Sequence, residues 1–155
     1  MSKKFLVIAI FFTFFSACLQ TGLYEKITFM PAQQWEYAFQ PEFKFEITDT
    51  TSSYRLYFLL RHDNAYAFNN LWVSVDSRLP GDSVMQTERF EFKLASGQKW
   101  LGTGMDDIFD HRILLYKEPV RFSKLGTYSV RFRQDMRTDP LEHVLNAGFR
   151  LEKAN

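Results

Sequence analysis

A two-residue alternation of apolar and polar side chains runs along most of this chain and leaves few folds open to it. Phe43, Phe45 and Ile47 alternate with Lys44, Glu46 and Thr48; Phe90, Phe92 and Leu94 alternate with Glu91 and Lys93. Tyr128, Val130, Phe132, Gln134 and Met136 alternate with Ser129, Arg131, Arg133 and Asp135. Successive side chains of extended backbone point to opposite faces, so each run reads as a strand with one buried and one wet face. Weaker versions over residues 25–29, 54–61, 70–76, 112–117 and 148–152 are bounded by turn chemistry such as Asp49-Thr50-Thr51, Leu79-Pro80-Gly81-Asp82 and Lys124-Leu125-Gly126. Residues 54–61 are apolar on both faces in the middle, as in a central strand packed on two sides. About eight strands at this spacing predict a mainly β chain, a single antiparallel β-sandwich of jelly-roll type. One helical turn is expected over 138–145, with Asp139 as cap and Pro140 in the first helical position.

The N-terminus follows different rules. Lys3-Lys4 precedes an apolar run from Phe5 to Phe15 broken only by Thr13, and Ser16-Ala17 provides a small-residue exit. This is the three-part pattern of an export signal, and the run is shorter than the roughly 20 apolar residues a spanning helix needs. Phe15-Ser16-Ala17-Cys18 has the form of a bacterial lipobox, with Phe15 where leucine is usual. In such a box the cysteine thiol takes diacylglycerol and becomes the acylated N-terminus of the mature protein. Cys18 is the sole cysteine of the sequence, so no intramolecular disulfide competes for it. The plain alternative is an ordinary secretory signal with a cysteine near the cut. The lipobox reading divides the chain into a signal peptide (1–17), a lipidated tether (18–23) and the β domain (24–155). Three acyl chains on Cys18 would hold the protein at a membrane, since each buried methylene contributes about 0.8 kcal/mol.

Charge excludes one class of partner. The formal net charge is +1, from 19 basic and 18 acidic residues; loss of Lys3 and Lys4 makes it slightly negative. The signs are interleaved, as in Arg89-Phe90-Glu91-Phe92-Lys93, and nucleic-acid binding needs a concentrated basic face.

No catalytic motif stands out: Gly-x-Ser-x-Gly, a phosphate-binding glycine loop and His-Glu-x-x-His are all absent. No catalytic residue and no cofactor beyond the lipid on Cys18 are expected. His62, His111 and His143 each neighbour an acid (Asp63, Asp110 and Glu142) and read as surface or loop residues, with convergence on zinc as the alternative. Asp106, Asp107 and Asp110 would offer oxygen ligands to Ca²⁺ from a glycine-bent loop, but their spacing is not that of an EF-hand and includes no ladder of ligands, so no metal is expected. The alternative is a tight connection whose aspartates hydrogen-bond nearby amides. Trp35, Trp72, Trp100 and Tyr66 are candidates for stacking on sugar rings, with Arg61, Asp63 and Asn70 as hydrogen-bonding groups. The preferred reading is that these rings fill the core or anchor a protein interface, since a Phe-rich sandwich needs large side chains inside.

Several short segments in one order carry a resemblance. They are residues 66–72 (Tyr-Ala-Phe-Asn-Asn-Leu-Trp), Trp100-Leu101-Gly102-Thr103-Gly104 with Asp107-Ile108 and Asp110-His111-Arg112, and an ending with Gly126-Thr127-Tyr128, Gln134-Asp135-Met136-Arg137, Asp139-Pro140-Leu141 and Gly148. Together with Cys18 they resemble the GldH gliding-motility lipoproteins of the Bacteroidetes, over nearly the whole mature chain. The resemblance implies a non-enzymatic cell-envelope lipoprotein required for gliding, tied to type IX secretion and acting through contacts with other motility or secretion proteins. It supplies no active site, and only Cys18 matches a position of defined chemistry. Surface lipoproteins of this phylum often carry an acidic tag after the cysteine. Leu19-Gln20-Thr21-Gly22 has none, so the expected location is the outer membrane, facing the periplasm. The runner-up reading is a glycan-binding β-sandwich lipoprotein of an envelope or polysaccharide-utilisation system.

Overall fold

The computed structural model describes residues 22–154; the expected signal peptide (1–17) and Cys18 lie outside them. Thirteen strands are present: β1 (Gly22–Phe29), β2 (Gln34–Trp35), β3 (Glu42–Ile47), β4 (Tyr54–Asp63), β5 (Asn70–Arg78), β6 (Gln86–Lys93), β7 (Ala95–Ser96), β8 (Lys99–Trp100), β9 (Thr103–Met105), β10 (Ile108–Leu114), β11 (Gly126–Gln134), β12 (Leu141–Glu142) and β13 (Val144–Lys153). A 3-10 turn at Pro31–Gln33 is the one helical stretch among the described residues.

The strands form two main sheets, ordered β1-β13-β4-β10-β9 and β3-β11-β5-β6, with every pairing antiparallel. Two small two-stranded ladders, β12-β2 and β7-β8, complete the set. The eight long strands pair first with last, second with seventh, third with sixth and fourth with fifth: β1 with β13, β3 with β11, β4 with β10, β5 with β6. That is one long hairpin rolled into two layers, the jelly-roll type expected from about eight strands at this spacing. Each expected strand exists, and β10 begins four residues earlier than its apolar pattern indicates.

Alternation supplies the core. Strand β3 buries Phe43, Phe45 and Ile47 and exposes the residues between them. Phe58 of β4 meets Phe92 at 4.9 Å in a stacked pair and Phe132 at 4.9 Å edge-on, so rings from both sheets interlock. Strand β4 alternates fully, with Tyr57 and Leu59 half-buried on the outer face. Its second apolar face is therefore not packed beneath another layer: the Arg112 guanidinium covers Tyr57 at 4.4 Å from the ring centroid.

The helical turn expected over 138–145 is absent. Leu141 pairs with Trp35 across the β12-β2 ladder and is buried, and β13 starts at Val144. Asp139, instead of capping a helix, accepts a hydrogen bond from the Tyr37 amide at 2.9 Å. Burying Leu141 beside Trp35 outweighs the weak local preference of a short proline-led turn.

The two ends of the sandwich differ. One end gathers the start of β1, the 48–53 turn, and the loops 79–85 and 115–125. Lys153 to Asp49 (2.9 Å), Lys124 to Asp82 (2.9 Å) and the Tyr54–Val120 bridge tie these together. The other end carries Phe29, the 64–69 loop, the β7-β8 ladder and the β9-β10 turn.

Candidate functional site

Strand parity decides where the aromatic residues go. On β5, Leu71, Val73 and Val75 face the core, while Asn70, Trp72, Ser74, Asp76 and Arg78 face outward. The outward positions of the neighbouring strands are polar or charged: Glu42, Lys44 and Glu46 on β3, Arg131 and Arg133 on β11, Thr87, Arg89 and Glu91 on β6. Trp72 is the one aromatic ring on that face. It is half-buried, and Arg89 lies over it with the guanidinium carbon 4.3 Å from the ring centroid.

Arg89 is held in turn by Asp135, its Nε 2.5 Å from Oδ2, and the Asp135 amide donates to the Trp72 carbonyl at 2.8 Å. Asn70 donates to Glu91 at 2.6 Å. Trp72, Arg89 and Asp135 line a shallow pocket of about 440 Å³ together with Phe68, Asn70, Met136 and Arg137. The result is an aromatic shelf edged by two arginines and an acid. Arg89, Asp135 and Met136 were not picked out as site residues from the sequence; the outward parity of Arg89 on β6 and of Asp135 just past β11 was the available signal, whereas Met136 shares the inward parity of Phe132 and Gln134.

Tyr66 and Trp100 have a different environment. Both pack against His62, at centroid separations of 5.1 Å and 4.5 Å, and Phe109 and His111 complete the cluster at 5.7 Å and 5.0 Å from the same ring. His62 and His111 are buried, contrary to the surface or loop placement expected, because β4 and β10 both turn these positions inward. Their Nε2 atoms are 2.9 Å apart. His62 Nδ1 lies 2.8 Å from the Asp63 carbonyl oxygen, which can only accept, so Nδ1 carries the proton and Nε2 accepts from His111. Burial lowers the pKa of His62, and burial together with the His62 ring holds His111 down to about 4. The pair is neutral and self-satisfied at neutral pH.

Trp100 donates to the Asn64 side chain at 3.0 Å, and Tyr66 donates to the Asn70 carbonyl at 3.0 Å. Burial also pushes the Tyr66 hydroxyl pKa upward. Both rings thus belong to a closed cluster. Trp35 is wholly buried, stacked on Phe58, which excludes it from sugar contact.

The remaining polar candidates separate. Asp106 and Asp107 form the exposed turn between β9 and β10, with Asp106 at φ 55°. The contact holding this turn is main chain: the Asp107 carbonyl accepts from the Asn64 amide at 2.7 Å. Asp110 points outward from β10 into a two-pronged ion pair with Arg61, at 2.7 and 2.9 Å. His143 donates to Asp63 at 2.9 Å, apart from the other two histidines, and Asp63 also accepts from the Ala65 amide at 2.8 Å. Among the described residues no group of three or more His, Cys, Asp or Glu side chains is placed to hold a metal ion. No helix among them is long and apolar enough to cross a membrane.

Comparison with known proteins adds the following. The family model described as GldH lipoprotein matches residues 22–151. A gliding motility lipoprotein GldH homolog of Christiangramia forsetii is 29% identical over 165 aligned residues, covering 100% of this chain and 99% of that protein. The gliding motility lipoprotein GldH of Flavobacterium johnsoniae is 33% identical over 119 residues, 72% of each chain.

Proposed function

Because the chain belongs to the GldH lipoprotein family, we propose that it is a lipid-anchored, non-enzymatic part of the gliding-motility apparatus, working beside the type IX secretion machinery through protein–protein contacts. The anchor is the lipid on Cys18. The domain faces the periplasm from the outer membrane, since no acidic residue follows the cysteine in Leu19-Gln20-Thr21-Gly22.

One observation carries the contact reading: among the described residues, Trp72 is the sole aromatic at the outward strand positions of a sheet face that is otherwise polar or charged. A ring kept half-exposed under an arginine, beside Met136 and Phe68, has the composition of an interface hot spot, where Trp and Arg dominate binding energy. Of the four rings weighed as interface anchors, Trp72 is the one kept for that role, because Trp35 is buried, Tyr66 packs on His62 and Trp100 is engaged with His62 and Asn64. Protein contact is preferred to sugar stacking because Arg89 already occupies the outward face of Trp72.

The test is co-purification from detergent-solubilised membranes. Trp72→Ala and Arg89→Glu are expected to keep the fold while losing motility or secretion components and slowing colony spreading. Unchanged capture and unchanged spreading would reject the shelf as the interface.

A further inference from the structure

The exit point of the lipidated tether fixes which end of the sandwich meets the membrane. The described chain begins at Gly22, the first residue of β1, paired with Glu152 near the end of β13. Four residue steps separate Cys18 from Gly22, and a fully extended chain covers at most about 14 Å over that length. The end of the sandwich where β1 starts is therefore held within one short tether of the acylated cysteine.

That same end presents three large apolar side chains to solvent, from segments far apart in sequence. Leu23 is 55% exposed at the start of β1, Val84 73% in the loop before β6, and Leu125 61% in the loop before β11. The two loops are braced against each other: Lys124 pairs with Asp82 at 2.9 Å, and the Gly126 backbone packs so closely on Pro80 that a Cβ there would sit 3.2 Å from its ring. Gly126 also has φ 120°, a conformation that glycine adopts without strain. Apolar tips on stiff, mutually tied loops can enter the headgroup–acyl boundary with little ordering cost, because the loop geometry is set beforehand.

We infer that Leu23, Val84 and Leu125 form a second, direct contact with the lipid surface, seating the domain end-on against the bilayer. The inference rests on acylation of Cys18. It has a structural corollary: the Trp72 shelf lies near the opposite end, since Trp72 is the third residue of β5 while the 79–85 loop follows the last. End-on seating presents that shelf to the aqueous compartment.

Acylation uses the sole native thiol, so a cysteine introduced elsewhere is a unique labelling site. The mature lipidated protein, carrying Val84→Cys, Leu125→Cys or Met105→Cys labelled with an environment-sensitive fluorophore, is reconstituted into phosphatidylcholine vesicles. Met105 is 79% exposed at the opposite end and serves as the comparison. The expected result is a blue shift at positions 84 and 125, with loss of intensity on adding spin-labelled lipid, and neither change at 105. Vesicle-bound protein with labels at 84 and 125 still in water, or with 105 quenched equally, would overturn the seating and leave the anchor standing. Protein that fails to float with the vesicles would overturn both.

Discussion

Two clusters, each built on a tryptophan, occupy one half of the sandwich and meet opposite fates. Around His62, rings from β4, β8, β10 and the 64–69 loop close on one another, and every polar atom of the His62 ring finds a partner inside the cluster. Around Trp72, an aromatic ring stays at the surface of a charged sheet, braced by Arg89 and Asp135 with one side open to a pocket. Residue type alone does not separate a structural aromatic from an interaction surface. Strand parity and the number of elements covering the ring do.

If the first cluster is structural, breaking it should produce the largest loss of stability. His62→Ala opens a cavity among Tyr66, Trp100 and Phe109 and leaves the His111 Nε2–H without its acceptor. A loss of about 3 kcal/mol is expected, read as a lower urea midpoint with an unchanged slope. A loss below about 1 kcal/mol would mean that the cluster is not part of the cooperative core.

Acid should separate the two clusters next. Burial beside the His62 ring holds His111 down to about 4 in the folded protein against the ordinary 6.5 of a histidine, so the unfolded chain binds more protons between those values. Stability is then complete above pH 6.5 and falls as the pH drops towards about 4, by an amount on the order of 2 kcal/mol. His62, lowered in the same direction, adds to the effect. Urea midpoints across that range check this; a flat profile from pH 6.5 to 5, above the ordinary carboxylate range, would contradict a neutral buried pair.

The smallest effect on stability is expected at the other cluster. Trp72→Ala removes one half-buried ring and an exposed cation–π contact, a cost of about 1 kcal/mol or less. Capture of envelope partners should nevertheless fall at least about tenfold, as for a hot-spot tryptophan. Equal losses of stability in Trp72→Ala and His62→Ala would erase the distinction between the clusters.

Much of this arrangement was legible in residue order. Alternation located eight strands; their number fits a jelly roll among other antiparallel sandwiches, and contacts between distant strands decide the rolled-hairpin pairing. The parity that puts Trp72 outside was readable too, because Leu71, Val73 and Val75 are apolar and Ser74 and Asp76 are not. The His62–His111 pair was not readable. The apolar Ile108 on the outer face and the polar His111 on the inner face break the alternation, so the pattern starts β10 at Arg112 and hides the inward parity of Phe109 and His111. The turn at 138–145 failed for a related reason: Asp-Pro favours a local helix start, whereas a long-range partner, Trp35, captures Leu141. Local signals reported each strand's faces, and contacts between distant segments decided what those faces meet.

Lipid attachment is the premise on which function and orientation both depend, and mass spectrometry of the mature N-terminus from native membranes tests it directly. The predicted species starts at Cys18, lacks Lys3 and Lys4, carries diacylglycerol and an acyl chain, and is replaced by soluble protein in Cys18→Ser. A mature chain without fatty acid, or one that retains residues 1–17, would contradict it.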